Sequence, residues 1–232
     1  MNNMTLAGSV IANPFAAFAE LKERPSFWVP MLACIVTTAA MTFWYYRIVD
    51  FEWLKDHLFA GNPAFENMSA EQRAAMNRTM SPTIMSASAI VGVVIIMPLM
   101  FVLQAAYYLL AGKVSNVQYS FKHWLSLVSW SSVPALIGAL AAMLVILSYG
   151  SNAQMGPSEL QILSVNELFL HLKPAEKGAQ WAGSIGILQL WGRVLSIIGV
   201  KIWSNKTWTF SVVFVMLPMV LIYGVWAYFA FG

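Results

Sequence analysis

The sequence predicts an all-α, polytopic integral membrane protein: a five-helix transmembrane bundle with an N-terminal amphipathic helix and two helical extracytoplasmic segments. Composition is the first reason, because 59% of the 232 residues are apolar and 10% are charged, whereas soluble domains contain about 25% charged residues. The mean hydropathy of +0.66 is the second. The third is a set of nearly uncharged stretches, each long enough to cross a hydrocarbon core of about 30 Å as a helix.

A short amphipathic helix is expected over residues 13–24. Asn13 can cap this helix, and Pro14 suits its first position. One face of the helix then carries three apolar side chains, which are Phe15, Phe18 and Leu21. We expect the helix to lie along the membrane surface with these side chains as interfacial anchors.

The nearly uncharged stretches predict the five membrane spans. Their expected positions are 25–46, 84–111, 124–149, 181–203 and 210–231. The fourth span is the least regular, because Arg193 and several glycines interrupt it. We interpret the whole chain, 1–232, as a single membrane domain.

Two longer connections, 50–83 and 151–180, are called the outer segments below. They hold all the acidic residues except Glu20 and Glu23. Within the first outer segment the pattern predicts a helix over 51–59. Both segments are expected to be helical and to fold back on the membrane surface or on each other.

A second helix is expected later in the first outer segment. Ser69, followed three positions later by Gln72, has the spacing of a capping box. The predicted helix runs through Met80 and ends at Pro82, because proline cannot continue a helix.

The lysines of the two short connections predict the orientation. These lysines are Lys113, Lys122, Lys201 and Lys206, and no acid accompanies them. Because short cytoplasmic loops are enriched in basic residues, we expect a cytoplasmic N-terminus and an extracytoplasmic C-terminus in the inner (cytoplasmic) membrane.

Motifs for catalysis and for cofactors were not found in the sequence. The three histidines are not spaced as metal ligands, and the single cysteine, Cys34, cannot form an internal disulfide. The basic residues are too dispersed for nucleic-acid binding. We therefore expect no enzyme activity, no cofactor and no metal. The serines of the third span are interpreted as bonding to the backbone or to a neighbouring helix, and they are Ser126, Ser129, Ser131 and Ser132.

Arg193 is the one ionisable residue expected at membrane depth. Gln189 and Ser196 lie on the same helical face, and Gln104 in the second span is a candidate interhelical hydrogen-bond donor. These residues could form a polar intramembrane site for an anionic group, such as a lipid head or a carboxylate. The alternative is that Arg193 extends toward the cytoplasmic boundary and binds nothing.

Small residues and prolines predict how the bundle packs. Gly192 and Gly199, with Ser196, form a track that permits close helix approach, either within the protomer or in a homo-oligomer. Prolines lie in or near the middle of three spans, and they are Pro98, Pro134 and Pro218. Each removes a helix hydrogen bond, so the bends could create a cavity or a hinge.

Several segments resemble the bacterial members of the Yip (Ypt/Rab-interacting protein) domain family. The segment 13–25 is similar to the family's amphipathic entry. Residues 107–113, 119–121 and 130–134 resemble its second and third spans, with a short basic loop, a Tyr-Ser pair and a proline. Residues 190–201 and 217–218 resemble its fourth and fifth spans.

This resemblance implies a five-span protein with a cytoplasmic N-terminus. It also implies a partner class, because some bacterial relatives accompany ABC-type exporters, whereas eukaryotic relatives associate with small GTPases and trafficking factors.

The sequence leads to two functional hypotheses, the first from this resemblance and the second from the polar site. The first is a non-enzymatic accessory or scaffold protein that binds another membrane protein, such as an ABC-type export complex or a trafficking assembly. The second is a lipid-handling or permeation protein that uses the polar site at Arg193.

Overall fold

The computed structural model describes residues 2–59, 68–72, 75, 80–173 and 176–232. Within these ranges the chain is predominantly helical and forms no β-strand. The α-helices are α1 (Asn3–Ala12), α2 (Pro14–Glu23), α3 (Trp28–Ile48), α4 (Phe51–Phe59), α5 (Pro82–Val114), α6 (Phe121–Ser131), α7 (Pro134–Tyr149), α8 (Ala179–Gly183), α9 (Ile187–Ser204) and α10 (Trp208–Phe231). A 3₁₀ turn at Pro157–Leu160 and a π turn at Asn166–Leu170 lie between α7 and α8.

Five spans of the described chain are long and apolar enough to cross a membrane, which confirms the predicted fold class. They are α3, α5, α6 together with α7, α9, and α10. The protein is therefore a multi-pass, all-α membrane protein. The ends of the spans differ from the expected positions by a few residues, except in the fourth.

The third span is broken rather than bent. Helix α6 ends at Ser131 and α7 begins at Pro134. Since Pro134 has no N–H, it cannot donate to the carbonyl of Trp130 as a continuous helix would require. The N–H of Val133 donates to that carbonyl instead, at 3.2 Å.

The fourth span is shorter than the predicted 181–203. The chain leaves the helix after Gly183 and resumes it at Ile187, so α9 contains 18 residues. Gly186 adopts an extended conformation, with φ −99° and ψ 144°. Its N–H donates to the Gln189 side chain at 3.5 Å, which caps the start of α9.

Pro98 and Pro218 lie inside continuous helices, whereas Pro82 is the first residue of α5. The Ser81 hydroxyl caps α5 by accepting the N–H of Ile84 at 3.2 Å. The expected capping box before it is present: the side chains and N–H groups of Ser69 and Gln72 bond reciprocally, at 2.9 and 3.2 Å. Much of the helix predicted through Met80 lies outside the described residues.

Helix α6 is the centre of the bundle. Every residue from 124 to 131 is buried, so α6 contacts other helices on all sides. Helices α3 and α5 pack on it, as do α2 and α9. The two largest fully buried side chains of the protein, Trp124 and Trp130, belong to α6.

The N-terminal helices pack on the protein. Helix α2 forms as expected, with Asn13 as its cap, whereas α1 was not anticipated. Phe18 and Leu21 are completely buried, and the Trp203 indole donates to the Phe18 carbonyl at 2.8 Å. These two side chains were expected to contact lipid. They contact protein instead. Phe15 is 51% exposed and remains available to the membrane.

Contacts between connections define two sides of the bundle. On one side, Lys206 donates to the carbonyl of Ser115, which joins the two lysine-containing loops. On the other side, Val49, which immediately precedes the first outer segment, forms a β-bridge with Ala153 of the second. The buried hydroxyl of Tyr45 donates to the Met155 carbonyl at 2.9 Å and fixes the same junction. Below, these are called the basic-loop side and the outer-segment side.

Candidate functional site: a cationic pocket inside the bundle

A pocket of about 200 Å³ lies between α5, α6, α7 and α9. Six of its ten lining residues have polar side chains, although every wall belongs to a membrane span. The lining residues are Gln104, Val128, Ser131, Ser132, Ala135, Leu188, Gln189, Gly192, Arg193 and Ser196. All four residues of the polar site expected from the sequence are in this set.

Two glycines bring α9 close to the rest of the bundle and so form one wall of the pocket. A Cβ at Gly192 would lie 2.7 Å from the backbone oxygen of Ser131, and a Cβ at Gly199 would lie 2.3 Å from Leu127. At Gly192 the obstacle is main chain, whereas at Gly199 the Leu127 side chain would have to move to admit a Cβ. The small-residue track could serve packing within the protomer or in a homo-oligomer. At both glycines the close contact is within the protomer.

Tyr108 connects the two walls. It is fully buried, and the Gln104 amide donates to its hydroxyl at 2.9 Å. Gln104 was expected to form a hydrogen bond between helices. Its hydrogen bond to Tyr108 lies within its own helix. Arg193 and Ser196 of α9 lie near the Tyr108 hydroxyl, and both line the pocket with Gln104. The guanidinium is thus held inside the bundle beside a buried side chain.

The charge of Arg193 has no acidic counterpart in the part of the chain that the structure describes. No Asp or Glu there forms an ion pair with it. A half-buried cation at membrane depth is costly unless it is paired or solvated. The pocket is therefore electrostatically suited to a negatively charged group.

Three buried serines of α6 depart from the sequence interpretation. Ser132 bonds to the Val128 carbonyl at 2.9 Å, as expected for a hydroxyl in a membrane helix. The hydroxyls of Ser126, Ser129 and Ser131 are buried and have no hydrogen-bond partner. Ser131 lines the pocket, so it adds a donor and an acceptor beside the guanidinium.

Aromatic side chains of α5 and α10 pack beside Tyr108, the partner of the pocket residue Gln104. Tyr108 and Phe214 of α10 stack with ring centroids 5.5 Å apart. The Tyr107 hydroxyl donates to the Phe214 carbonyl at 2.8 Å. Tyr108 and Ser131 were not assigned to the site from the sequence, because their position near Arg193 depends on how the helices pack.

The described residues contain no group of three or more His, Cys, Asp or Glu side chains that could hold a metal ion. Cys34 is a free thiol whose sulfur lies 3.8 Å from the Ser132 carbonyl. The guanidinium, amides and hydroxyls that line the pocket can bind an anion by charge and hydrogen bonds.

The fold and the pocket define a polytopic α-helical membrane protein with a cationic site inside its bundle. The family model described as the Yip1 domain matches residues 8–229. The chain therefore belongs to the Yip1 domain family, which confirms the resemblance seen in the sequence. No curated protein and no solved structure matches the chain.

Proposed function

We propose that this protein is a non-enzymatic membrane protein that binds the anionic group of a membrane lipid in the pocket at Arg193. The observation that carries the proposal is a half-buried guanidinium in a polar pocket without an acidic partner among the described residues. Charge-assisted hydrogen bonds from arginine suit phosphate and carboxylate oxygens, which it can bind at two points. Gln104, Gln189 and Ser131 supply further hydrogen bonds to such a group.

The test is lipid retention by purified protein in mild detergent, measured by native mass spectrometry. Arg193→Gln should lower the retention of anionic phosphatidylglycerol about ten- to hundredfold, because a lost charge-assisted hydrogen bond costs about 1.5–3 kcal/mol. Arg193→Lys should retain part of it, since the charge remains while the two-point geometry is lost. Lys201→Gln is the matched control, as it removes a cation from the same helix outside the pocket. Equal retention by Arg193→Gln and the unaltered protein would reject the proposal.

We also propose that the protein lies in the inner membrane and that its basic-loop side faces the cytoplasm. Support comes from the lysines of both loops on that side. In a Cys34→Ser background, Lys113→Cys should be protected from an impermeant maleimide in intact cells. Asp56→Cys should react with it. Labelling of both positions, or of neither, would contradict the orientation.

A second candidate is an accessory role on another membrane protein, such as an ABC-type export complex. It is favoured by an exposed apolar turn in the second outer segment, where Leu168, Phe169 and Leu170 are 38%, 65% and 46% exposed. Asn166 holds this turn through two hydrogen bonds with the backbone of Leu172, both of 3.0 Å. Phe169→Ser should abolish crosslinking to a partner in native membranes, whereas Leu58→Ser, on the same side, should not. Absence of any crosslinked partner would reject this role.

A further inference from the structure

Helix α1 has apolar side chains on two of its faces. Leu6 and Val10 are buried and belong to the main core of the bundle. Met4 and Ile11 are seven residues apart and lie on one line, about 130° around the helix axis from the buried pair. They are 87% and 41% exposed. Helix α1 therefore has a second apolar face that the protein does not cover, and we call it the Met4–Ile11 face.

Contacts of α2 place the N-terminal helices at the level where the spans end. The Phe15 ring packs edge-on against Trp208, the first residue of α10, with ring centroids 6.3 Å apart. The Trp203 indole, in the last turn of α9, donates to the Phe18 carbonyl at 2.8 Å. Both of these helix ends lie on the basic-loop side, because the loop that contains Lys206 joins them.

Helix α2 also runs along this end of the bundle. Seven residues after Phe15, the Lys22 ammonium lies 6.0 Å from the centroid of the Tyr119 ring. Tyr119 belongs to the loop between α5 and α6, and its hydroxyl donates to the Trp203 carbonyl at 2.9 Å. Since Phe15 and Lys22 are about 10 Å apart along the helix and both contact residues at span ends, α2 is roughly parallel to the membrane plane. Helix α1 packs on α2 and on α6 at the same end.

The Met4–Ile11 face is joined to a surface that lipid covers. Phe15 follows Ile11 by four residues, and Phe15 and Trp208 are 51% and 48% exposed at the start of a membrane span. Residues 2–19 carry no charge, so no side chain of α1 requires a position in bulk water. A helix that is apolar on more than one face is stable where protein or lipid covers each face.

We propose that α1 is an interfacial helix whose Met4–Ile11 face lies among the acyl chains of the leaflet on the basic-loop side. Its partner is the apolar boundary of that leaflet, whatever the charge of the head groups. Interfacial helices commonly bind anionic lipids through Lys and Arg on their polar face, and α1 has neither. Helix α2, which was expected to contact lipid through Phe18 and Leu21, holds α1 in place instead.

The level of α1 selects lipid over the other possible occupants. A second copy of the chain or a soluble protein would have to displace lipid from beside Phe15 and Trp208 in order to cover the whole apolar surface. The bilayer covers it without any displacement. None of the residues involved lines the pocket at Arg193, so the position of α1 is independent of the proposed function.

The first experiment measures the depth of α1. In a Cys34→Ser background, Met4→Cys and Ile11→Cys are labelled with the fluorophore NBD, and the protein is reconstituted in phosphatidylcholine nanodiscs. Lipids that carry a nitroxide near the start of an acyl chain should quench both labels at least about twofold, whereas aqueous iodide should quench them weakly. Glu23→Cys, at an exposed position of α2, is the matched control and should show the opposite pattern.

Three outcomes would overturn the inference. If iodide quenches the labels at positions 4 and 11 as strongly as the label at position 23, the Met4–Ile11 face lies in water. If neither quencher reaches the two labels, protein covers the face. Replacing half of the phosphatidylcholine with phosphatidylglycerol should leave the quenching unchanged. If the nitroxide reaches the labels only when the anionic lipid is present, charge and not apolar contact holds α1 on the membrane.

The second experiment adds a charge to the face. Ile11→Asp should reduce nitroxide quenching of the label at position 4 at least about threefold, because a carboxylate is disfavoured among acyl chains. Asn13→Asp adds the same charge two residues later and keeps the cap of α2, since aspartate caps a helix as well as asparagine does. It should leave the quenching unchanged, and equal quenching in the two variants would contradict the inference. Phosphatidylglycerol retention at Arg193 should be the same in both variants.

Discussion

The hydroxyl of Tyr107 donates a hydrogen bond to the backbone carbonyl of Phe214, 2.8 Å away on α10. This carbonyl lies four residues before Pro218, which has no N–H to donate to it. Tyr107 thus replaces the hydrogen bond that the proline removes. In a membrane this replacement has particular value, because no water is present in the hydrocarbon to satisfy a free carbonyl.

A double-mutant cycle can test this relationship. Tyr107→Phe should lower the free energy of unfolding by about 1–3 kcal/mol, the usual cost of leaving a buried acceptor without a partner. In a Pro218→Ala background, the restored N–H at position 218 should reduce this cost to less than about 0.5 kcal/mol. Thermal or denaturant unfolding in detergent measures both values. Equal costs in the two backgrounds would show that the two residues are not coupled.

Close packing at Gly192 gives a second prediction. Gly192→Ala should destabilise the protein by about 1–3 kcal/mol, because its Cβ would collide with the main chain at Ser131. Gly224→Ala is the matched control in another span, since a Cβ there has no atom within 4 Å. It should be neutral or slightly stabilising in a helix. Equal behaviour of the two variants in a thermal unfolding assay would argue against the close approach of α9 to α6.

The docking of α2 on the bundle gives a third prediction. Phe18→Ala should destabilise the protein by about 3–5 kcal/mol, because it removes a fully buried aromatic side chain. Phe15→Ala, on the same helix but half exposed, should cost less than about 1 kcal/mol. Unfolding monitored by tryptophan fluorescence can compare them, as Trp203 contacts Phe18 through its indole. If the two costs were equal, α2 would not be part of the core.

The junction of the outer segments gives a fourth prediction. Tyr45→Phe removes the buried hydrogen bond to the Met155 carbonyl and should cost about 1–2 kcal/mol. Hydrogen exchange at the amides of Asp50 and Ala153 should accelerate, because these two amides form the adjoining bridge. Tyr228→Phe, at a 76% exposed position, is the control and should change neither quantity. Unchanged exchange in Tyr45→Phe would mean that this hydroxyl does not maintain the junction.

Much of the fold could be predicted from the sequence, because charges are too costly in hydrocarbon to leave the spans ambiguous. The polar strip of Gln189, Arg193 and Ser196 was also predictable, since residues at helical spacing share a face. Tyr108 and Ser131 could not be assigned to the site in this way. Their position beside Arg193 depends on which helices are neighbours, and that depends on long-range packing such as the contact of Gly192 with Ser131.

The orientation of α2 shows a different limit of sequence reasoning. The apolar face with Phe18 and Leu21 was interpreted as facing lipid, yet both side chains are buried in protein. The interior of a membrane protein and the surrounding lipid are similarly apolar. A hydrophobic face therefore predicts removal from water, but it does not distinguish between these two environments.

The shortness of α9 has a consequence for the bilayer itself. Its 18 residues rise about 27 Å, whereas the 24 residues of α10 rise about 36 Å. Trp191 and Val194 on α9 are 40% and 39% exposed, so lipid reaches this helix. Such hydrophobic mismatch is relieved by local thinning of the membrane. The membrane should therefore be thinnest beside Arg193, and the protein should be more stable in bilayers made of short-chain lipids.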